Sequence, residues 1–282
     1  DNEVQALTST GSPNSIIAVD AKASSAVACS NAGEVYLSTD GYVWEQIYGP
    51  DISLKSISLS ENGKIAAVGK NGRIVSGSAD GMQVISNPSI SHNLNAVASW
   101  QGGWLAAGSG GVILFSTDAV VWEQVAVDTN TDWIDIVADD TGAMIIGTGG
   151  KIAVISTQGG TTSASVINSE YGLELISLAK VNKNQLIGLD EKGAFWISQD
   201  AGMSFNKSEL STGITAADVI YNGNGRIVAI DNNGELAHSQ LVAGISLDSP
   251  LQDGQYQAGD LIYLSKKSES SQTGDLLKPE YG

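Results

Sequence analysis

Arginine is nearly missing from this sequence. Arg73 and Arg226 are the only two in 282 residues, and 14 basic side chains face 31 acidic ones, for a formal net charge of -17. Neutralising phosphate takes clustered Lys and Arg, so this balance argues against a nucleic-acid or anionic-membrane partner, and the surplus of carboxylates reads as a solubility feature. Histidine is as scarce: His92, in the loop NPSISHN, and His238 are far apart and lack metal-ligand spacing. The single Cys29 sits in an apolar run, AVACS, as small core residues do, and one thiol excludes a disulfide framework. No run of 18 apolar residues occurs, so no membrane-spanning helix is expected. The chain opens at Asp1 with neither Met nor a charged-then-apolar leader, from which a processed or trimmed start is expected.

Glycine, by contrast, is abundant, with 33 residues, and 42% of the chain is hydrophobic, which suits a packed core punctuated by tight turns. Residues 103–125, GWLAAGSGGVILFSTDAVVWEQV, show the organisation. Two apolar runs, Trp104–Ala107 and Val112–Phe115, are hinged by Ser109-Gly110-Gly111; a turn Ser116-Thr117-Asp118-Ala119 and a third run through Trp122 follow. These are strand-length runs between turn residues, and no 3.6-residue apolar period persists to suggest a helix. The pattern recurs at a fixed interval. Its turn serine appears as Ser38, Ser78, Ser116, Ser156, Ser198 and Ser239, at spacings of 40, 38, 40, 42 and 41 residues, a signature of radial repetition.

Each copy opens with a small, nearly continuous apolar strand, such as Ile134–Ala138 or Leu175–Leu178, suited to burial on both faces and hence to the innermost position. A second strand follows and ends in a tight turn, as in Asn71-Gly72, Gly110-Gly111 and Gly149-Gly150, pairs that accept positive φ at both turn positions. A third strand leads to the serine turn, and a fourth completes the unit. Four strands per roughly 40 residues define an all-β fold, a β-propeller of four-stranded antiparallel blades. Six blades are expected over residues 12–248, with seven as the alternative. Residues 1–11 hold one candidate strand, Val4–Thr8, that could close the ring. Residues 249–282 hold a strand-like run, Gly259–Ser265, and a polar arm that reads as linker or partner-binding tail. Gly-His and Trp-Asp signatures of WD repeats are absent.

The serine turns resemble the Asp-box repeat, S-x-D-x-G-x-x-W/F, of sialidases and of many non-enzymatic propellers. Ser198, Asp200, Gly202 and Phe205 match it in full register. Ser38, Asp40 and Trp44, like Ser116, Asp118 and Trp122, match a form shortened by one residue, and Ser78 with Asp80 lacks the aromatic. Ser156 is followed by Gln158 and Ser239 keeps only the serine. The resemblance covers about residues 16–247. It implies structural duties: the Asp accepts N–H groups of its own turn, the Gly takes positive φ, and the aromatic packs between blades. It also implies that these turns lie on the face away from a sialidase active site. Such a site uses three arginines, a Tyr nucleophile backed by Glu, and an Asp acid/base. Two arginines cannot build the clamp, and Lys lacks the planar fork.

No other catalytic constellation emerges, and neither a cofactor nor a metal site is expected. Asp132, Asp135, Asp139 and Asp140 crowd one inner strand but lack the D-x-D-x-D-G calcium pattern, so a solvated acidic rim is the reading. The recognition surface is expected on the loops that lead into the inner strands, opposite the serine turns. Its candidate contacts are His92 in the loop Ser86–Leu94, Asp132 and Trp133 at the end of the loop Asp128–Trp133, and Tyr171 in the loop Asn168–Gly172. For Trp133, packing between blades at the start of its strand competes with docking. The expected function is a non-catalytic binding or structural propeller at a bacterial surface or in a phage tail, contacting proteins or glycans outside the cytoplasm. Two alternatives stand. One is an assembly factor similar to the photosystem II stability factors, a family that presents an arginine-rich patch this chain cannot form. The other is a sialidase-like glycoside hydrolase.

Overall fold

A computed structural model describes residues 14–248 except 23–24, 86–89, 101–102, 140–141, 159, 170–172, 183, 212–215, 222–225, 232–235 and 243–245. Across the described residues, strands account for all regular structure but three single turns of 3-10 helix, and the strands form six four-stranded antiparallel sheets. Each sheet is one contiguous stretch of chain, ordered as it runs. The first contains β1 (Ile16–Lys22), β2 (Ser25–Ser30), β3 (Val35–Ser38) and β4 (Glu45–Tyr48); the second, β5 (Leu54–Leu59), β6 (Ile65–Gly69), β7 (Ile74–Ser78) and β8 (Gly81–Ile85). The third contains β9 (Leu94–Trp100), β10 (Gly103–Gly108), β11 (Ile113–Ser116) and β12 (Glu123–Gln124); the fourth, β13 (Trp133–Asp139), β14 (Gly142–Gly147), β15 (Lys151–Gln158) and β16 (Thr161–Asn168). The fifth contains β17 (Leu175–Lys180), β18 (Leu186–Asp190), β19 (Ala194–Ser198) and β20 (Asn206–Ser211); the sixth, β21 (Ala216–Tyr221), β22 (Arg226–Asp231), β23 (Leu236–Val242) and β24 (Ser246–Asp248). The expected ring-closing strand Val4–Thr8 and the expected C-terminal strand and arm of 249–282 lie outside the described residues, as does any seventh blade they would form.

Apolar layers join successive sheets, and the second strand of a blade feeds two of them. In β10, Trp104 and Ala106 enter the layer toward the second sheet, while Leu105 and Ala107 enter the layer toward the fourth. This is why these strands read as unbroken apolar runs: both faces leave water, and each fully buried Leu, Ile or Val contributes on the order of 1.5–3 kcal/mol. Cys29 is buried between the first two sheets, and desolvation pushes its thiol pKa far up, so it is an inert core residue.

The first strands, β1, β5, β9, β13, β17 and β21, begin each sheet. A central channel of about 310 Å³ is lined from five of them, by Asp20, Lys55, Asn95, Asp135 and Asp218 among others. All six first strands share a β-bulge after their first residue, for example between Leu54 and Ser56 and between Leu175 and Ser177. The free edges of these strands need partners for their N–H groups. Side chains of the preceding blade supply them. Ser56 Oγ accepts from Val97 N (3.1 Å), Ser58 Oγ from Ser99 N (3.1 Å), and Asp20 Oδ2 from Leu59 N (2.8 Å). Asp135 Oδ2 and Ser177 Oγ do the same for Leu178 N and Val219 N, each at 3.3 Å.

Trp122 and Phe205 occupy equivalent places. Each precedes the outer strand of its blade and is buried against the preceding sheet, the second for Trp122 and the fourth for Phe205. Trp44 is half-buried, short of the burial expected for all three. Trp122→Ala should therefore cost about 3–5 kcal/mol through lost contact and a cavity, and Trp44→Ala clearly less. Urea unfolding of the two variants checks the order.

Candidate functional site

Alternating strand direction divides the turns between two faces of the ring. The turns joining second to third strands share one face with the loops linking one blade to the next. Backbone hydrogen bonds tie the two together: Asp51 N to Ala32 O, Lys70 N to Ser53 O, Ser109 N to Asn93 O, Thr148 N to Asp132 O, and Ser169 N to Gly150 O. Asn71-Gly72, Gly110-Gly111 and Gly149-Gly150 take positive φ at both positions, as the sequence pattern predicts. The residue just before the next inner strand clamps each of these turns. Asn93 Oδ1 accepts from Asn71 N (3.0 Å), Asp132 Oδ1 from Gly110 N (2.9 Å), and Glu174 Oε1 from Gly149 N (3.2 Å). The linking loops press closely here, for a Cβ added at Gly111 would sit 2.0 Å from Thr129 O.

The predicted contacts fare differently. His92 is exposed, its ring against Gly110, the residue whose N–H Asp132 accepts. Asp132 is exposed too, but its carboxylate is a clamp. Trp133 is a correction: it is fully buried in the layer between the third and fourth sheets, so its side chain offers nothing to a partner. It starts its inner strand where others place Leu54, Leu94 and Leu175, and apolar packing claims it. Tyr171 lies outside the described residues, as does the side chain of His238.

The expected rim of aspartates is solvated at Asp132 and in part at Asp139, and its members also have protein partners. Asp135 accepts from Ile136 N (2.9 Å) besides Leu178 N, and Asp139 Oδ1 lies 2.6 Å from Lys180 Nζ, an amine that is itself buried. Asp140 is outside the described residues. Among the described residues no group of three or more His, Cys, Asp and Glu could hold a metal ion. On the linking-loop side, Tyr48 Oη donates to Asp51 Oδ2 (2.6 Å), and Arg73 Nε lies 3.5 Å from that oxygen. Desolvation and this hydrogen bond push the Tyr48 pKa up to about 12.

The serine turns hold the opposite face together with the turns joining first to second strands. Asp40 Oδ1 accepts from Tyr42 N and Val43 N, and Asp118 Oδ1 from Val120 N and Val121 N, all at 2.8 Å. Asp200 Oδ1 accepts from Ser204 N (2.8 Å). Each aspartate also receives its turn serine, Ser38, Ser116 or Ser198. Gly202 is buried with φ of 87° and donates to Ser198 Oγ at 2.8 Å; an added Cβ would meet the Met144 methyl at 2.4 Å. The copy at Ser78 departs from this plan. Ser78 pairs directly with Gly81 in a tight hairpin, and the link is from Asp80 N to Ser78 Oγ (3.3 Å), with Asp80 exposed and not bracing a longer loop. Sequence reasoning missed the exposed apolar tips of this face, Tyr42, Val43, Val120, Val121 and Met203; a residue after the motif Asp with a large apolar side chain was the available signal.

Backbone donors hold the Asp118 carboxyl below its ordinary value of 3.8, Val121 N–H first and Val120 N–H next; Asp40 is lowered likewise by Val43 and Tyr42. In Asp200 desolvation pushes upward, but the hydroxyl and N–H of Ser204 and the hydroxyl of Ser198 outweigh it. A carboxylate whose pKa is lower folded than unfolded stabilises the fold fully above the unfolded value and stops doing so as pH falls through the folded one. Asp118→Ala should thus cost about 1 kcal/mol at pH 7, and the gap from the parent should narrow as pH falls below about 4. Urea titrations at pH 7, 5 and 3 check both.

No family model and no curated protein sequence matches the chain. Many solved structures do, and they show a β-propeller. U3-55K aligns over 83% of this chain and 80% of its own, with TM-score 0.66 and 9% identity. The WD40 repeats of RRP9 align over 83% and 78%, with TM-score 0.67 and 9% identity. YCF48 bound to a D1 peptide aligns over 84% and 81%, with TM-score 0.63 and 16% identity. WD40 propellers thus share this fold even though the chain lacks the WD signature.

Proposed function

We propose that this chain is a non-catalytic β-propeller of the Asp-box kind that binds other proteins of an assembly through its linking-loop face. The observation that carries this reading is the clamped rim. Asn93, Asp132 and Glu174 each fix a left-handed turn of the preceding blade, so the face is pre-formed, and docking onto a pre-formed surface costs little ordering entropy. His92 stands exposed on that rim beside Gly110. A protein partner gains support from the similarly folded YCF48, solved with a bound D1 peptide. The same likeness favours the second reading, an assembly or stability factor whose client is a peptide segment. The acidic composition speaks against nucleic acid. The two arginines, too few for a three-arginine clamp, speak against sialidase-type hydrolysis. The site of action in this proposal is outside the cytoplasm, on a bacterial surface or in a phage tail, with a cell-surface glycan as the alternative ligand.

The test compares a rim variant, His92→Ala with Asp132→Asn, against an opposite-face variant, Tyr42→Ser with Val121→Ser. Each is immobilised, confirmed folded by its melting curve, and offered an extract of its source cells and a glycan array. The rim variant should lose a protein that the parent retains, and the opposite-face variant should keep it. Loss with the opposite-face variant alone places recognition among the serine turns, and retention only on the array makes the ligand a glycan.

A further inference from the structure

The outer strands of the six sheets are not alike. β16 runs for eight residues, against four for β4, five for β8, two for β12, six for β20 and three for β24. It pairs with β15 without a register break from Lys151↔Asn168 to Gln158↔Thr161, whereas β4 and β20 are broken by irregularities. Its sequence, TTSASVIN, has no charged residue, no proline and no glycine, and it is rich in β-branched side chains. Natural edges are blunted by shortness, charge, proline or a bulge. The other outer strands use these devices: Glu45 in β4, Glu123 in β12 and Lys207 in β20 carry charge, and β8 and β24 are short. β16 uses none of them. Among the described residues it ends its sheet, with β15 as its one neighbour. Two residues separate Gln158 from Thr161, which makes that a hydrogen-bonded pair; by alternation Thr162, Ala164, Val166 and Asn168 turn their N–H and C=O groups away from β15.

We propose that β16 is a self-association edge, on which the β16 strand of a second copy of this chain adds antiparallel to make one eight-stranded sheet across a twofold axis. Main-chain hydrogen bonds supply such strand addition. A twofold sets each strand against its own sequence, so a charge near the axis would face its like; β16 has none to clash. The exposed hydroxyls of Thr161, Ser163 and Ser165 lie on one face of the strand and meet their counterparts. The surface is the outer wall of the ring, outside both faces, so it stands independently of the function proposed above. Two molecules of charge -17 repel over long range. Screening that repulsion should tighten the pair, and no ion pair across the junction exists for salt to weaken.

Sedimentation equilibrium on the full chain tests this, at several concentrations and at about 0.05 M and about 0.5 M NaCl. The expected result is a monomer–dimer equilibrium whose Kd falls as salt rises. Ser163→Lys changes one exposed side chain and should raise the Kd by at least about tenfold by setting like charges across the axis. Thr162→Pro removes an outward-facing donor while sparing the β15 ladder and should do the same, with melting curves confirming that both variants fold. A chain that stays monomeric throughout overturns the proposal. So does a dimer that Ser163→Lys leaves intact, or one that salt dissociates.

Discussion

The unpaired inner edge of each blade is the constraint on which this structure depends. A strand that begins a sheet and faces a channel has N–H groups without a ladder partner, and five such edges line the channel here. Ser and Asp on one blade answer the N–H groups of the next, as Ser56 does for Val97 and Asp20 for Leu59. The same bonds that satisfy an edge therefore fix the rotation of one blade against its neighbour. Where β9 has Ala96 and Ala98 in the stapling positions, Asn95 ties it to the next blade in the opposite sense, its amide donating to Trp133 O at 2.8 Å. The bulge after the first residue of every inner strand adds local twist where the chain enters the axis.

Apolar layers supply the bulk of the stability and polar bonds the geometry, and the two faces inherit this division. On one, aspartates fold each turn onto itself. On the other, a residue from one blade clamps the turn of the blade before it, so the rim from the second to the fifth sheet is linked rather than built of separate hairpins. A linked rim can hold several contacts in fixed relation, which a set of independent turns could not.

Much of the fold was legible because its signals are local and repeated. The interval between turn serines, the Asn-Gly and Gly-Gly pairs and the apolar second strands each dictate backbone without reference to distant residues. The site was less legible. Trp133 is aromatic and next to a loop, and only the depth of the layer between the third and fourth sheets decides that it is core. Asp132, Asp135 and Asp139 form a cluster along the chain, yet their partners Gly110, Leu178 and Lys180 belong to neighbouring blades, and no spacing rule reaches that far. Asp80 shares its motif with Asp40, but a hairpin register that pairs Ser78 with Gly81 leaves no loop for it to brace.

The burial of Cys29 has a practical side. As the only thiol in the chain it is enclosed between the first and second sheets and protonated, so the native protein offers thiol reagents nothing to attack. Thiol modification of the unaltered chain must then wait for those two blades to part, which turns a single cysteine into a built-in clock for the opening of one interface. A cysteine introduced on either face would, on the same grounds, carry a label free of background.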